Sequence, residues 1–328
     1  MSHPAISGIP LVLGGNVFGW TADRDRSFAV LDAFYEAGGR MIDTAECYSF
    51  WVPGHSGGES ETVIGEWLES RGVRGDMRIA TKTNVDAKPG GLKPDALREH
   101  LDKSLERLRT DYADLFYSHR DDPETPQDEV AQGFADLIAE GRVREAGASN
   151  FSAQRLSGAL DAAKRLGVPG YGVLQNEYNL VARDAYGADL QALCVERGVA
   201  MLPFYGLASG FLSGKYRTEA DLSKSPRGGG MKKLLDKGAS VLATMDEVSS
   251  ETGAPLAEIA LAWLLAQPGI AAPIASATSV EQLAQLIAAV SLKSLAVSHS
   301  ARPSLSQSGI GHFPEGSSAM CRTRWVSS

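Results

Sequence analysis

The sequence is short of the features that mark secreted, membrane-spanning and nucleic-acid-binding proteins. Its 328 residues include three cysteines, Cys47, Cys194 and Cys321, and no Cys-x-x-Cys pair. The odd number fits a reducing compartment and predicts no structural disulfide. No stretch reaches the roughly 18 apolar residues of a membrane-spanning helix, and no basic segment precedes an apolar run near Met1. We therefore expect a cytoplasmic protein.

The sequence also lacks an excess of positive charge, because 40 acidic and 32 basic residues give a formal net charge of −8. A chain of this charge has no general attraction for nucleic acid or anionic membranes. No spacing of His and Cys suggests a metal site, and Gly14-Gly15-Asn16 does not complete the Gly-x-Gly-x-x-Gly pattern of a dinucleotide-binding fold. The expected partners are small molecules, and an anionic cofactor would need a local basic patch.

The sequence does contain a repeat of short aliphatic runs and amphipathic helical patterns. Strand starts lie about 27 to 37 residues apart through the first seven strands, as single βα units require. The pattern predicts an α/β fold, the (β/α)8 TIM barrel with eight parallel strands. The predicted strands are Pro10–Gly14, Arg40–Asp43, Met77–Lys82, Ala113–Ser118, Val143–Ala148, Gly172–Gln175, Val199–Phe204 and Ala271–Ala275.

The predicted helices have end signals and one apolar face each. Pro94 opens one helix, Thr125 followed by Pro126 predicts a capped start with proline as the first helical residue, and Gly141 and Gly167 predict helix ends. The apolar stripes expected to pack on the barrel are Leu97, Leu101, Leu105 and Leu108, then Val130, Phe134, Leu137 and Ile138, then Leu156, Leu160, Ala163 and Leu166.

Two stretches depart from the repeat. The gap between the last two strands widens to about 70 residues, and residues 215–237 within it hold seven basic and three acidic residues. We predict that this loop binds phosphate; a solvated charged loop is the alternative. Residues 1–290 form one predicted barrel domain, whereas residues 291–328 hold eleven serines and no helical period. This atypical tail is interpreted as a replaced C-terminal region, with a disordered extension as the alternative.

Polar side chains that could carry chemistry follow neighbouring predicted strands. Asp43 and Tyr48 come after the second strand, Lys82 ends the third and His119 follows the fourth. Taken singly, such residues are more often turn, packing or surface residues. Because the carboxyl ends of all strands of a parallel barrel meet at one face, we expect the four to converge.

Six ordered segments resemble the aldo-keto reductase family, whose catalytic tetrad is Asp, Tyr, Lys and His. The similarity covers roughly residues 8–290, and the segments are residues 40–48 (RMIDTAECY), 79–82 (IATK), 114–120 (DLFYSHR), 147–150 (GASN), 175–179 (QNEYN) and 210–216 (GFLSGKY). The resemblance implies an oxidoreductase that reduces aldehydes or ketones to alcohols with a nicotinamide cofactor. NADPH is the expected cofactor and NADH is the alternative.

Carbonyl reduction needs a hydride for carbon and a proton for oxygen. Tyr48 is the predicted proton donor, and the Lys82 ammonium is expected to draw the pKa of its phenol down toward neutrality. The Asp43 carboxylate would keep Lys82 charged by ion pairing, and His119 would hydrogen-bond the carbonyl oxygen.

The resemblance also assigns contacts with the cofactor. Ser149, Asn150 and Gln175 match residues that bind the nicotinamide carboxamide. At the position where relatives stack a tyrosine on the nicotinamide, this sequence has Phe204, which also offers an aromatic face. The segment after the eighth strand has hydroxyls where many relatives carry Arg or Lys for a 2′-phosphate, so NADPH over NADH is only a preference. The other predicted cofactor residues are Leu207, Ser209, Gly210, Lys215, Arg217, Arg227, Ser276, Thr278 and Gln282.

Aromatic side chains near the expected mouth predict a largely apolar substrate pocket of Trp20, Trp51 and Tyr205, although the same rings could seal loops onto the barrel. Cys47 is interpreted as a small neutral filler, with an oxidation-sensitive thiol as the alternative, and His100 as a helix-surface residue. Two other functions stay open: a cofactor-binding redox sensor or regulatory subunit with little turnover, and a barrel lyase or hydrolase for a phosphorylated substrate. The sequence does not predict an oligomeric state.

Overall fold

The computed structural model describes residue 6 and residues 8–83, 85–86, 88–224 and 232–291. Within these ranges the chain alternates strands and helices as the repeat predicts. The prediction for the tail falls on residues 292–328 and that for Arg227 on residues 225–231, and both lie outside the described residues.

Eight parallel strands form a curled sheet. The strands are β1 Val12–Gly14, β2 Met41–Asp43, β3 Arg78–Thr83, β4 Ala113–Ser118, β5 Val143–Ser149, β6 Val173–Gln175, β7 Ala200–Met201 and β8 Ile274–Ala275. Their order in the sheet is β7-β6-β5-β4-β3-β2-β1-β8. The backbone of Met201 donates to Gly269 O and accepts from Ala271 N, both at 2.9 Å, so the β7 segment pairs with the chain that leads into β8 and the barrel closes. The predicted (β/α)8 fold is confirmed.

β7 and β8 fall furthest short of their predicted ranges, because proline has no N–H to donate to a ladder. Pro203 follows β7, although the ladder resumes as a single bridge between Phe204 and Glu177. Pro273 likewise precedes β8, which begins at Ile274.

The helices surround the barrel and bury their apolar faces against it. The stripe of α3 is fully buried, from Leu97 to Leu108. The helices are α1 Arg24–Glu36, α2 Glu59–Arg71, α3 Pro94–Leu108, α4 Gln127–Ala139, α5 Ala153–Leu166, α6 Ala188–Arg197, α7 Lys232–Lys237, α8 Ala239–Thr252, α9 Leu256–Leu265 and α10 Val280–Ser291. Short 3₁₀ helices lie at Asp184–Tyr186, Ala208–Ser213 and Glu219–Lys224.

Two details of the helices differ from the predictions. Pro126 precedes α4 instead of opening it, and the Thr125 hydroxyl donates to Asp122 Oδ2 at 2.6 Å instead of capping the helix. Leu166 is 41% exposed because it is the last residue of α5, where the helix leaves the barrel surface.

The barrel interior is filled by side chains from most of the strands, including Val12, Met41, Leu115, Tyr117 and Val173. It is therefore a packed core and not a pore. The polar residues at the carboxyl ends of the strands lie above this core, where they share one face. No helix in the described ranges is long and apolar enough to cross a membrane.

Candidate active site

Lys82 is the centre of a polar cluster at the carboxyl ends of β2 and β3. Its ammonium donates to Asp43 Oδ2 at 2.6 Å, to the Thr44 carbonyl oxygen at 2.7 Å and to the Tyr48 hydroxyl oxygen at 2.9 Å. Lys82 is 0% exposed and Asp43 is 2% exposed. An ammonium has three donors, so this buried cation is fully satisfied.

The direction of the contact between Lys82 and Tyr48 determines where the phenol proton can go. Because an ammonium only donates, the Tyr48 oxygen is the acceptor in this hydrogen bond, and its own proton remains for another acceptor. Burial and, next, the nearby Asp43 carboxylate raise the pKa of Tyr48 well above its usual range. This direction is opposite to the predicted one, because desolvation of the phenolate and repulsion by the Asp43 carboxylate both disfavour the charged form of Tyr48. The phenol therefore holds its proton at neutral pH.

Asp43 is held from both sides. Its Oδ2 accepts from Lys82, and its Oδ1 accepts from Gln175 Nε2 at 2.8 Å. Gln175 ends β6, so this bond crosses the barrel mouth from β2. Two hydrogen bonds to its charged form, one from a cation, fix the carboxylate in place.

His119 lies directly after β4, beside Tyr48. The ring centroids of Tyr48 and His119 are 6.2 Å apart in an edge-to-face arrangement. The His119 backbone donates to Thr83 O at 2.8 Å and accepts from Asn150 Nδ2 at 2.9 Å. Burial, followed by the Lys82 and Arg120 cations, lowers the pKa of His119 well below its usual range. The imidazole is therefore neutral, with one donor nitrogen and one acceptor nitrogen.

The residues predicted to contact the nicotinamide lie next to the tetrad. Ser149 ends β5, and its hydroxyl donates to the Gln175 carbonyl oxygen at 2.8 Å. Asn150 Nδ2 donates to Ser149 Oγ at 3.0 Å, and Asn150 has a left-handed φ of 59°. Gln175 is bonded to Asp43, as described above. The structure thus brings all three amide and hydroxyl side chains to the edge of the cluster.

The segment after β7 has an unusual backbone. Tyr205, Ala208 and Ser209 have φ values of 55°, 46° and 55°, and Gly210 has a φ of 94°. A left-handed conformation costs a non-glycine residue about 1–3 kcal/mol where it is held under strain. Such strain concentrates at functional sites, and this segment contains the predicted cofactor residues Phe204, Leu207, Ser209 and Gly210.

The other predicted phosphate contacts lie farther along the chain, and several are engaged with neighbouring side chains. Arg217 forms two hydrogen bonds with Asp246, at 2.8 and 2.7 Å. Lys215 Nζ lies 5.5 Å from the Tyr216 ring centroid. After β8, the Ser276 hydroxyl donates to Asn16 Oδ1 at 2.6 Å, and both the N–H and the hydroxyl of Thr278 donate to Gln282 Oε1, at 3.0 and 3.1 Å.

Aromatic rings continue outward from Tyr48. The Trp51 ring lies 6.1 Å from Tyr48, 5.6 Å from Trp20 and 5.5 Å from Phe50, each in an edge-to-face arrangement. Phe50 is 42% exposed, and Tyr205, next to Phe204, is 48% exposed. Three of these rings, Trp20, Trp51 and Tyr205, were predicted at the mouth; Phe50 was not.

The sequence interpretation missed a pair that anchors the loop carrying Tyr48. Glu46 accepts from Thr83 Oγ1 at 3.1 Å, and its other oxygen lies 2.7 Å from His100 Nδ1 on α3. The hydrogen bond with Glu46 raises the pKa of His100 above 6.5. His100 is thus not a plain helix-surface residue, because it connects α3 to the loop between Asp43 and Tyr48.

This pair should make stability depend on pH. A histidine whose pKa is raised by folding contributes its full stabilisation below its ordinary pKa, and loses it as pH rises through the folded value. We expect His100→Gln to lower the melting temperature more at about pH 6 than at about pH 9. Thermal unfolding at both pH values measures the difference. Lys164→Gln, at an exposed position on α5, is the control and should show little pH dependence; a deficit for His100→Gln that grows with pH would contradict the assignment.

No group of three or more His, Cys, Asp or Glu side chains is placed to hold a metal ion in the part of the chain that the structure describes. Among the described cysteines, Cys47 and Cys194 are free and buried.

Comparisons with known proteins match this architecture. A family model described as the aldo/keto reductase family matches residues 10–300. The chain is similar to norsolorinic acid reductase B of Aspergillus parasiticus, with 31% identity over 296 residues, which cover 84% of this chain and 74% of that protein. It is 32% identical over 286 residues to the aryl-alcohol dehydrogenase (NADP⁺) of Phanerodontia chrysosporium, covering 80% of this chain and 71% of that protein.

A third relative is named as a channel subunit. The chain is 30% identical over 284 residues to a probable voltage-gated potassium channel subunit beta of Arabidopsis thaliana. The match covers 83% of this chain and 84% of that protein.

Proposed function

The chain belongs to the aldo/keto reductase family, and from this premise we propose that it reduces aldehydes or ketones to alcohols with NADPH, with Tyr48 as the proton donor. Family membership makes the protein an oxidoreductase for small carbonyl compounds. It gives no support to the lyase or hydrolase alternative. The identity of the acid, the cofactor and the preferred substrate belong to the proposal.

The observation that carries the proposal is the hydrogen bond from Lys82 to Tyr48. It uses a lone pair of the phenol oxygen and leaves the proton for a substrate oxygen. When that proton leaves, the phenolate would form 2.9 Å from a buried ammonium, which stabilises the new charge. A cation that is already in place needs no reorganisation, so this help comes at the moment of proton transfer.

The other residues of the tetrad have supporting roles. Asp43 pairs with the buried Lys82 ammonium at 2.6 Å and orients it, since a buried charge without a partner is costly. His119 is neutral, so it can offer one N–H to the carbonyl oxygen without releasing a proton itself. Together Tyr48 and His119 supply two donors to one oxygen, which orients the carbonyl.

The described residues fit a nicotinamide dinucleotide. When bound, the reduced nicotinamide supplies the hydride. Ser149, Asn150 and Gln175 offer hydroxyl and amide groups for its carboxamide, and Phe204 offers a flat face. The left-handed run from Ala208 to Gly210 follows Leu207, whose φ and ψ are −99° and 14°. A change from right- to left-handed residues turns successive N–H groups toward one side, which suits a phosphate.

The aromatic mouth favours an aryl carbonyl substrate. Trp51 and its neighbours Trp20 and Phe50 provide ring edges and faces next to the Tyr48 phenol. Aromatic pairs of this kind are worth about 0.5–1.5 kcal/mol beyond the burial of area. One relative is named an aryl-alcohol dehydrogenase, which supports the same substrate class.

Trp51→Leu should weaken the binding of aryl substrates more than the binding of alkyl substrates. We expect the substitution to raise KM for benzaldehyde by about threefold to tenfold, the equivalent of one lost aromatic pair. Steady-state kinetics with a linear aliphatic aldehyde provides the control, because KM and kcat for that substrate should change little. If both aldehydes lose affinity equally, Trp51 has a general packing role and the aryl preference is unsupported.

A regulatory function is the second candidate, and similarity to a channel subunit beta favours it. A cofactor-binding subunit with little turnover would bind NADPH but would not consume it with any carbonyl. The test of the proposed function is therefore NADPH and NADH oxidation with a panel of aldehydes, ketones and keto-sugars. Turnover that depends on a carbonyl supports the reductase. Tight NADPH binding without turnover across the panel supports the regulatory candidate.

A further inference from the structure

We propose that Cys47 is a positioning residue that holds His119 in the tautomer with its proton on Nε2, so that Nε2–H is the donor offered to the substrate oxygen. The catalytic purpose of this tautomer rests on the proposed function, whereas the measurement that tests the tautomer does not depend on activity. Cys47 thus has a role, whereas the sequence interpretation treated it as a small neutral filler.

The contact that carries the inference joins Cys47 to a ring nitrogen of His119. Cys47 Sγ lies 3.8 Å from His119 Nδ1, a distance within reach of a hydrogen bond to the large sulfur atom. Cys47 directly precedes Tyr48 in the loop after β2, whereas His119 follows β4. Side chains from two different strand ends therefore meet at this nitrogen.

The remaining contacts of His119 leave the tautomer undecided. Its backbone N–H and carbonyl are bound by Thr83 and Asn150, which fix the main chain but not the ring proton. Among the hydrogen bonds found in the described ranges, the one with Cys47 is the bond that reaches the ring. Cys47 is thus the residue that can stabilise one neutral tautomer of the His119 ring over the other.

The protonation states favour donation from sulfur to nitrogen. Burial raises the pKa of Cys47 to about 12, so the thiol keeps its proton at neutral pH. His119 is neutral for the reasons given above, so exactly one of its nitrogens can accept. When S–H donates to Nδ1, the ring proton must sit on Nε2. The opposite tautomer would present a lone pair, which repels a carbonyl oxygen.

The magnitude should be modest, because a thiol is a weak donor. Loss of one weak hydrogen bond changes the ratio of the two tautomers by about twofold to fivefold. We expect kcat to fall by up to about twofold in Cys47→Ala, since only molecules with Nε2–H orient the carbonyl productively and this form falls from most of the molecules toward half of them. KM for the cofactor should not change.

The test reads the tautomer directly, in the full-length protein without substrate. Protein with ring-¹⁵N-labelled histidine is studied by long-range ¹H–¹⁵N NMR at neutral pH, and His119→Gln identifies the His119 signals among the six histidines. The wild type should show an unprotonated Nδ1 and a protonated Nε2. Cys47→Ala should move both shifts toward an average of the two tautomers, and Cys47→Ser, which restores a donor, should return them part of the way.

Cys194→Ala is the matched control, because it removes a buried thiol on α6 that does not contact His119. It should leave the His119 signals unchanged. If Cys47→Ala does not fold, Cys47→Val removes the donor while filling the space. Wild-type protein with the proton on Nδ1, or the same tautomer ratio without the thiol, would overturn the inference. An inactive protein with the expected NMR shifts would instead refute only the proposed function.

Discussion

Tyr48→Phe lowers kcat for carbonyl reduction by at least about a hundredfold, the usual scale of lost general-acid catalysis. The substitution removes one oxygen atom and keeps the ring, so the edge-to-face contacts with Trp51 and His119 survive. Lys82 loses one of its three acceptors but keeps Asp43 and Thr44. The effect should therefore fall on the chemical step and leave both the fold and the affinity for NADPH nearly unchanged.

Single-turnover kinetics and NADPH titration measure the two quantities separately. Tyr35→Phe is a suitable control, because it removes a phenol that donates to Asp76 away from the site. Its kcat should match the wild type. Equal turnover by Tyr48→Phe and wild type would refute the role of Tyr48 as the acid, and a large loss of NADPH affinity would point to a binding role instead.

Lys82→Met destabilises the folded protein by about 3–5 kcal/mol, because it leaves the Asp43 carboxylate buried without its cation. The ammonium is completely enclosed, and it also satisfies the Thr44 carbonyl oxygen. Activity should be lost as well, since the phenolate of Tyr48 would form without a neighbouring charge. The free energy of unfolding from denaturant titration measures the stability loss.

The double variant Asp43→Asn/Lys82→Met makes this prediction specific. Asparagine removes the unpaired charge and can still accept from Gln175. The double variant should recover a clear part of the lost stability, while carbonyl reduction stays absent. Lys103→Met, which breaks an exposed pair with Glu99, should have only a small effect. Strictly additive losses at Asp43 and Lys82 would show that the two charges are not coupled.

Much of the fold and of the cluster could be predicted because the barrel repeats one simple unit. Asp43, Lys82 and His119 stand at the ends of three successive strands, so the parallel topology alone brings them to one face. The contact between Asp43 and Lys82 then follows from charge, because a buried ammonium requires a carboxylate. The strand limits at Pro203 and Pro273 could also have been predicted, since proline interrupts the hydrogen-bond ladder of a sheet.

What the sequence could not predict depends on contacts between distant segments. The Glu46–His100 pair joins residues 54 positions apart, and no local pattern signals it. The prediction that the pKa of Tyr48 is lowered was wrong, because the sequence indicates which charged groups are near but not how strongly the phenol is desolvated in the folded protein. The contact of Cys47 with His119 was missed for the same reason as the pair, because it forms only when two strand ends meet.

The most direct test of the central claim is isotope transfer from NADPH that carries deuterium at both C4 positions, with benzaldehyde as the acceptor. We expect the wild type to form benzyl alcohol with one deuterium on its carbinol carbon, and Tyr48→Phe to form almost none. Unlabelled alcohol, or no alcohol across the carbonyl panel while NADPH is bound, would contradict hydride delivery at this site.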